Sequence, residues 1–384
     1  MRMTASRRCA AITACLALFT LGGCSLFSRD DGRYDPAPLT SYEAGMSVRE
    51  VWKTSVGSGG GLGFLPTVVG DAVYAATPNG KLGKFDLLSG RPLWRADADA
   101  DLSAGAGSDG TTTVVATSQG EVLAYDDTGK LKWKGRATSE VDVPPLVGGG
   151  LVVVRSSDYR IQALDADSGE RVWSVQRPGP ALALRAGSQM IMAEGLVIVG
   201  LPGGRIMAIN AASGDVQWEG TVAVPKGGSD LERLTDVVGA PRLAGPLMCA
   251  AAYQGRIICF DVSQGGRPIW AKDFSSTTGL SLDGRAAYAA DQNSVVSAFA
   301  LQNGEVLWRQ DALRNRKVTA PTPISGAVAV GDYDGYVHFL SRDDGRPLAR
   351  LSVGGGAVLS PLQTTSQGVL VQTGNGNLIM IGTD

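Results

Sequence analysis

One histidine in 384 residues closes off most enzyme chemistry before any motif is sought. It is His338, set within Gly335-Tyr336-Val337-His338-Phe339-Leu340, which reads as an inner strand and predicts a structural role. With no second histidine, a Ser-His-Asp triad or a histidine base away from His338 and any multi-histidine metal site are excluded. Cysteine is almost as scarce. Cys9, Cys15 and Cys24 crowd the N-terminus, and only Cys249 and Cys259 remain beyond it. Charge of one sign is missing too: 35 Lys and Arg face 37 Asp and Glu, for a net −2. Without a clustered basic stripe, a nucleic-acid surface is excluded. Past the N-terminus no apolar run reaches the length of a spanning helix, and no heptad pattern appears.

The N-terminus reads as a targeting segment, to be kept apart from the fold. Arg2, Arg7 and Arg8 precede an apolar stretch from Ala10 to Leu21, too short to span a bilayer comfortably. Leu21-Gly22-Gly23-Cys24 then resembles a bacterial lipobox. The resemblance implies cleavage after residue 23 and acylation of Cys24, with several acyl chains giving durable anchoring. Ser25, not Asp, would follow the lipidated cysteine, which implies sorting to the outer membrane with the domain facing the periplasm. The expected layout is signal peptide 1–23, flexible lipidated tether 24–45 and a folded domain 46–384. The tether is polar and carries Arg29-Asp30-Asp31-Gly32-Arg33 with Pro36 and Pro38.

What the chain does have is a repeat. Its seven tryptophans are Trp52, Trp94, Trp133, Trp173, Trp218, Trp270 and Trp308, and the steps between them are 42, 39, 40, 45, 52 and 38 residues. Six of them stand four residues after a glycine, Gly-x-x-x-Trp, as in Asp165-Ala166-Asp167-Ser168-Gly169-Glu170-Arg171-Val172-Trp173. A further step of 41 lands on Ala349, where the tryptophan is lost. A period near forty built from alternating strands and Gly-bearing turns is the signature of a propeller blade. Asp86, Asp126, Asp165, Asn210 and Asp261 occur one per repeat and read as turn residues bonding local backbone.

The strand before that turn occurs eight times, but the Trp-type strand follows it only seven times. The eighth inner hairpin runs into the C-terminus, while Val48-Arg49-Glu50-Val51-Trp52-Lys53 is an unpaired Trp strand at the start. The expected fold is therefore all-β: an eight-bladed propeller of four-stranded antiparallel blades, the N-terminal strand completing the last blade and leaving no open edge. The tryptophans are expected between neighbouring blades, as packing. Cys249 and Cys259 are symmetric about Gln254 and could face each other across a hairpin. They read either as a periplasmic disulfide or as two small buried apolar residues.

The repeat resembles that of PQQ-dependent dehydrogenases. Those enzymes pair a vicinal disulfide with a calcium site, and this chain has no adjacent cysteines and no carboxylate cluster outside the repeat turns. The whole chain more closely resembles the BamB family, lipoproteins of the bacterial outer-membrane β-barrel assembly machinery. The specific stretches are Ala181-Leu182-Ala183-Leu184-Arg185, Leu231-Glu232-Arg233-Leu234-Thr235-Asp236-Val237 and Val330-Gly331-Asp332-Tyr333-Asp334-Gly335-Tyr336-Val337-His338. The resemblance implies a scaffold with no catalytic site and no cofactor, binding the POTRA domains of the central subunit BamA and assisting insertion of outer-membrane proteins. Leu182, Leu184, Arg185 and Asp236 match the family's BamA-contact positions. Two residues on, where the family tends to be acidic, stands Val238.

Spacing points independently to the same surface. The long steps, 45 and 52, place extra residues after two successive Trp strands, in Gln176 to Glu194 and Thr221 to Gly245. Connections of that type share one face of a propeller, and such insertions are how propellers make binding sites. The alternative readings are a periplasmic PQQ-dependent dehydrogenase and a binding module for unfolded client peptides.

Overall fold

The structure is a computed structural model and describes residues 33–180, 182–184 and 187–383. Cys24 and the signal sequence lie outside them. From residue 37 onward the chain forms one compact unit, in which eight sheets of four antiparallel strands follow one another. Blades 1 to 7 run in sequence over 67–97, 107–136, 146–176, 190–221, 237–273, 280–310 and 322–352. Blade 8 takes three strands from 363–383 and its outermost strand, Val48–Ser55, from the other end of the chain. That strand pairs with Asn377–Thr383 from Val48 opposite Thr383 to Ser55 opposite Asn377. The expected fold and its closure are therefore present.

Each strand's composition follows its place. The two middle strands of a blade are covered on both faces, so Ala72–Ala76 and Ala286–Ala290 are buried throughout, small residues around one central tyrosine. Outermost strands alternate, as in Arg171–Gln176, where Trp173 is buried between exposed neighbours. In all eight blades the register slips at the tryptophan position, for example between Ala163 and Leu164. The bulge leaves the preceding residue outside the ladder. That accounts for a set of exposed apolar residues: Val51, Leu93, Val172, Ile269 and Leu307.

The core falls into eight clusters, one at each junction between adjacent blades. The tryptophans key these junctions. Each ring lies under the turn glycine of the next blade: Trp52 under Gly90, Trp94 under Gly129, Trp133 under Gly169, Trp173 under Gly214, Trp218 under Gly266, Trp270 under Gly304 and Trp308 under Gly345. A Cβ at Gly169 would stand 2.7 Å from the Trp133 ring, and φ there is +75°, so both space and backbone require glycine. Five indoles also donate Nε1–H to the next blade's turn: Trp52 to Leu87, Trp133 to Ala166, Trp173 to Ala211, Trp270 to Leu301 and Trp308 to Arg342, over 2.7–3.0 Å.

Trp94 and Trp218 show no such bond, and turn length explains why. In the five bonded cases the turn residue and the glycine stand four apart, as Asp165 and Gly169 do. In blade 2 they are three apart, Asp126 and Gly129, and in blade 5 five apart, Asp261 and Gly266. One residue more or less moves the accepting carbonyl. The Trp94 Nε1 is left buried without an acceptor, and an apolar groove of about 400 Å³ opens beside Trp218. The missing eighth tryptophan has the same logic. Blade 8 has no turn leading into its outermost strand, so a tryptophan at Ala349 would have no glycine to lie under. Met46 and Val48 of the incoming chain pack there instead.

Cys249 and Cys259 sit directly opposite on the middle strands of blade 5 and are joined in a disulfide, both fully buried. Residues 37–45, assigned above to the tether, run along blade 7. Ala37 N–H donates to Arg314 O and Gly45 N–H to Leu348 O, at 2.9 and 2.8 Å. Arg316 reaches Ala37 O, and Arg350 reaches Thr40 O and covers the Tyr42 ring. Beside them lies a buried charged group. Asp332 accepts from Arg316 Nε and His338 Nε2, each at 2.8 Å. Burial opposes ionisation of Asp332, but the bonds from His338, the Tyr336 amide and Arg316 outweigh it and hold its pKa below the ordinary value. Burial pushes His338 down in spite of Asp332, so it is neutral at pH 7 and donates.

Candidate partner-binding surface

The connections between blades all leave an outermost strand and enter the next innermost one, which puts them on one face. Those after blades 3 and 4, 177–189 and 222–236, are longer than others such as 98–106 or 274–279. The remaining extra residues of the 52-residue step are elsewhere: in an eight-residue innermost strand, Val237–Ala244, with a bulge between Val238 and Arg242, and in the blade 5 turn. Val238 is thus buried in a sheet.

The two insertions touch, and Asp236 is the clasp. Its carboxylate accepts from the Leu184 N–H of the first insertion and, at 3.0 Å, from the Gly203 N–H of a blade 4 turn. Its own backbone bridges to Pro202. Asp236 is 4% exposed, so the acid placed on the contact surface from sequence is turned inward. Its local geometry explains this: two backbone amides point at it, and only an inward carboxylate meets both. Burial raises its pKa against the pull of those amides and of Arg155. Arg155 is itself buried below, donating to Gly200 O at 2.8 Å and Ser188 Oγ at 3.2 Å.

The clasp fixes the residues beside it. Leu182 is 40% exposed and Leu184 partly so; Arg185 lies outside the described residues. The root of the first insertion is held by Tyr159 Oη donating to Pro180 O at 3.1 Å and by Arg177 Nε to Glu219 Oε1 at 2.8 Å. A cavity of about 380 Å³ lies between Tyr159, Pro178, Pro180, Pro202 and Arg205. The second insertion is ordered by the Glu232 carboxylate, which accepts from the Gly228 and Ser229 amides at 2.7 and 3.2 Å. That loop presents two apolar residues that are not among the expected contact positions, Leu231 at 69% and Val224 at 58% exposed. Their signal was available: each is an apolar residue in a stretch with no strand alternation to bury it. The seven tryptophans contribute nothing here; they belong to the blade junctions.

An eight-bladed propeller of the PQQ-repeat kind, with its longest loops clasped together on one face, is the class these features define. Solved structures agree on the fold. The quinohemoprotein alcohol dehydrogenase from Comamonas testosteroni aligns over 87% of this chain and 76% of its own, at 15% identity and a TM-score of 0.66, a likeness of fold alone. The crystal structure of BamB from Moraxella catarrhalis aligns over 88% of this chain and all of its own, at 26% identity and a TM-score of 0.81. A family profile described as outer membrane protein assembly factor BamB matches residues 78–310 and 292–384. The protein of that name from Bordetella pertussis is 70% identical over 95% of this chain and 94% of its own. Its namesake from Burkholderia pseudomallei is 41% identical over 98% of each. The chain belongs to the BamB family of outer membrane protein assembly factors.

Proposed function

We propose that this protein serves outer-membrane protein assembly as a non-enzymatic scaffold. It is held at the periplasmic side of the outer membrane by lipid on Cys24, and it binds the POTRA domains of BamA. The binding surface is the pair of clasped insertions: Leu182, Leu184 and Arg185 supply the anchor, and Asp236 acts through the loop it holds. The observation that carries this reading is the Asp236 clasp itself. A buried carboxylate spent on fixing two loops of adjacent blades, with leucines displayed beside it, suits a preformed protein contact. Leu231 and Val224 extend the same surface.

The test is recovery of BamA from detergent-solubilised envelopes with the tagged protein. The triple variant Leu182→Ala, Leu184→Ala, Arg185→Ala should lose BamA while keeping its melting temperature. Asp236→Ala should lose it in part, by releasing the loop. Full recovery with the triple variant would move the site elsewhere; no recovery with the unaltered protein would sink the scaffold reading.

A further inference from the structure

On the face opposite the insertions, the innermost strands of blades 5 to 8 end around a cavity of about 510 Å³. Arg242, Asp283 and Arg342 line it, with Ser281, Ser325 and Gln363. Arg242 is brought there by the bulge in its strand. It pairs with Cys249, whose side chain packs against blade 6, and residues paired across a ladder share a face. Arg242 therefore points at the end of the innermost strand of blade 6.

Its charge has no partner there. Among the described residues nothing accepts from the Arg242 guanidinium, and its Nε is sealed from solvent. The one carboxylate lining the cavity is already committed. Asp283 accepts from the Arg285 and Ala286 amides at 2.7 and 2.8 Å, from Tyr288 Oη at 2.8 Å, and from Arg342. Arg342 in turn keeps a buried Nε with no acceptor. Two guanidiniums and one carboxylate leave a net positive cavity. The terminal N–H groups of Arg242, which lines the cavity, are of the kind that grips oxyanions in a fork. Arg242 is partly buried with no counter-charge beside it, a costly arrangement, and desolvation depresses its pKa with no acid to offset it. Both facts have one explanation if a ligand supplies the missing charge.

We infer that this cavity is a binding site for a small oxyanion, a carboxylate or phosphate group on a compact polar solute, with Arg242 as its principal ligand. Lying opposite the insertions, the site is independent of the proposed protein contact.

The test is isothermal titration of the protein, purified from envelopes in neutral detergent, with inorganic phosphate and separately with citrate. Ionic strength is held constant with chloride. Saturable one-site binding in the millimolar range or tighter is expected for at least one of the two, and which one identifies the oxyanion. Arg242→Gln should weaken it by about tenfold or more, the worth of a charge-assisted hydrogen-bond pair. The same variant should melt no lower than the unaltered protein in anion-free buffer, because it removes an unpaired charge, and its melting point should stop responding to the anion. Absence of saturable binding up to about 20 mM, equal binding by Arg242→Gln, or a lower melting point of Arg242→Gln without anion would each overturn the assignment.

Discussion

Gly169→Ala and Gly195→Ala form a matched pair that isolates the blade-to-blade wedge. Both glycines sit in tight turns with nearly equal left-handed backbones, φ +75° and +72°. An alanine at either position costs about 1–2 kcal/mol for that conformation. At Gly195 the added Cβ meets nothing within 4 Å; at Gly169 it meets the Trp133 ring at 2.7 Å. Carbon atoms rest at about 3.5–4.0 Å, so the ring must move by nearly an ångström. Overpacking of that kind costs about 1–3 kcal/mol. The shift also pulls Nε1 from Ala166 O, now at 3.0 Å, for a further ~0.5–1.5 kcal/mol. Gly169→Ala should thus exceed Gly195→Ala by about 2–4 kcal/mol in urea unfolding followed by far-UV circular dichroism, with unchanged slope. Introducing Trp133→Leu first makes room, and the cost of Gly169→Ala should then fall to that of Gly195→Ala. If the two glycine variants agree within about 0.5 kcal/mol, the strain is all backbone and the tryptophan is no wedge.

Three further outcomes follow from particular contacts. Replacing Cys249 and Cys259 together by alanine should cost about 2–3 kcal/mol from the ten-residue separation alone, and the protein unfolded without reductant should show neither thiol to a titrating reagent, both appearing only after reduction. His338 has a depressed pKa when folded, so the unfolded chain binds its proton more readily; stability is whole above about pH 6.5 and falls as pH drops below it. His338→Gln keeps a donor for Asp332 and should flatten that decline in melts between about pH 5 and 6.5, leaving the separate loss near pH 4 and below that protonation of Asp332 brings. Ala349→Trp should destabilise by about 1–3 kcal/mol, since Met46 and Val48 fill the slot; a gain in stability would refute the account of why that tryptophan is missing.

The fold was legible because a propeller repeats. Six copies of one Gly-to-Trp spacing, a seventh ending in Ala349, and a lone Trp strand at Trp52 were enough to place all eight blades and the closing strand. The pairing of glycine with tryptophan was not legible in full. Sequence reading took Gly169 as the turn glycine of Trp173, four residues on, whereas its steric partner is Trp133 of the previous blade. Nothing in a spacing of four says which ring lies above a turn until the blades are stacked. Asp236 shows a second limit. Its place in an insertion was readable, but its burial depends on two amides, of Leu184 and Gly203, that lie 52 and 33 residues away. The docking of residues 37–45 was hidden for the same reason, because Pro38 and Tyr42 look like tether until Arg316 and Arg350 are brought beside them.

The positions that depart from the repeat are the ones with something particular to explain. A turn one residue short leaves the Trp94 indole without an acceptor. A turn one residue long, in blade 5, has the same effect on Trp218 and opens a groove. The lost tryptophan at Ala349 marks where a blade is completed by the other end of the chain. The two long connections form the clasped surface, and the bulge that delivers Arg242 to the opposite face belongs to the same lengthened blade 5. Within a ring of near-identical units, packing at one junction resembles packing at the next. Selection for an inter-blade contact therefore acts on every copy alike and cannot by itself single out one blade. The sector of blades 4 and 5 is marked three times over, by the insertions leading into each and by the altered turn and the bulge of blade 5. That concentration argues that this sector carries the protein's specific contacts on both faces, while the other blades chiefly hold the ring closed.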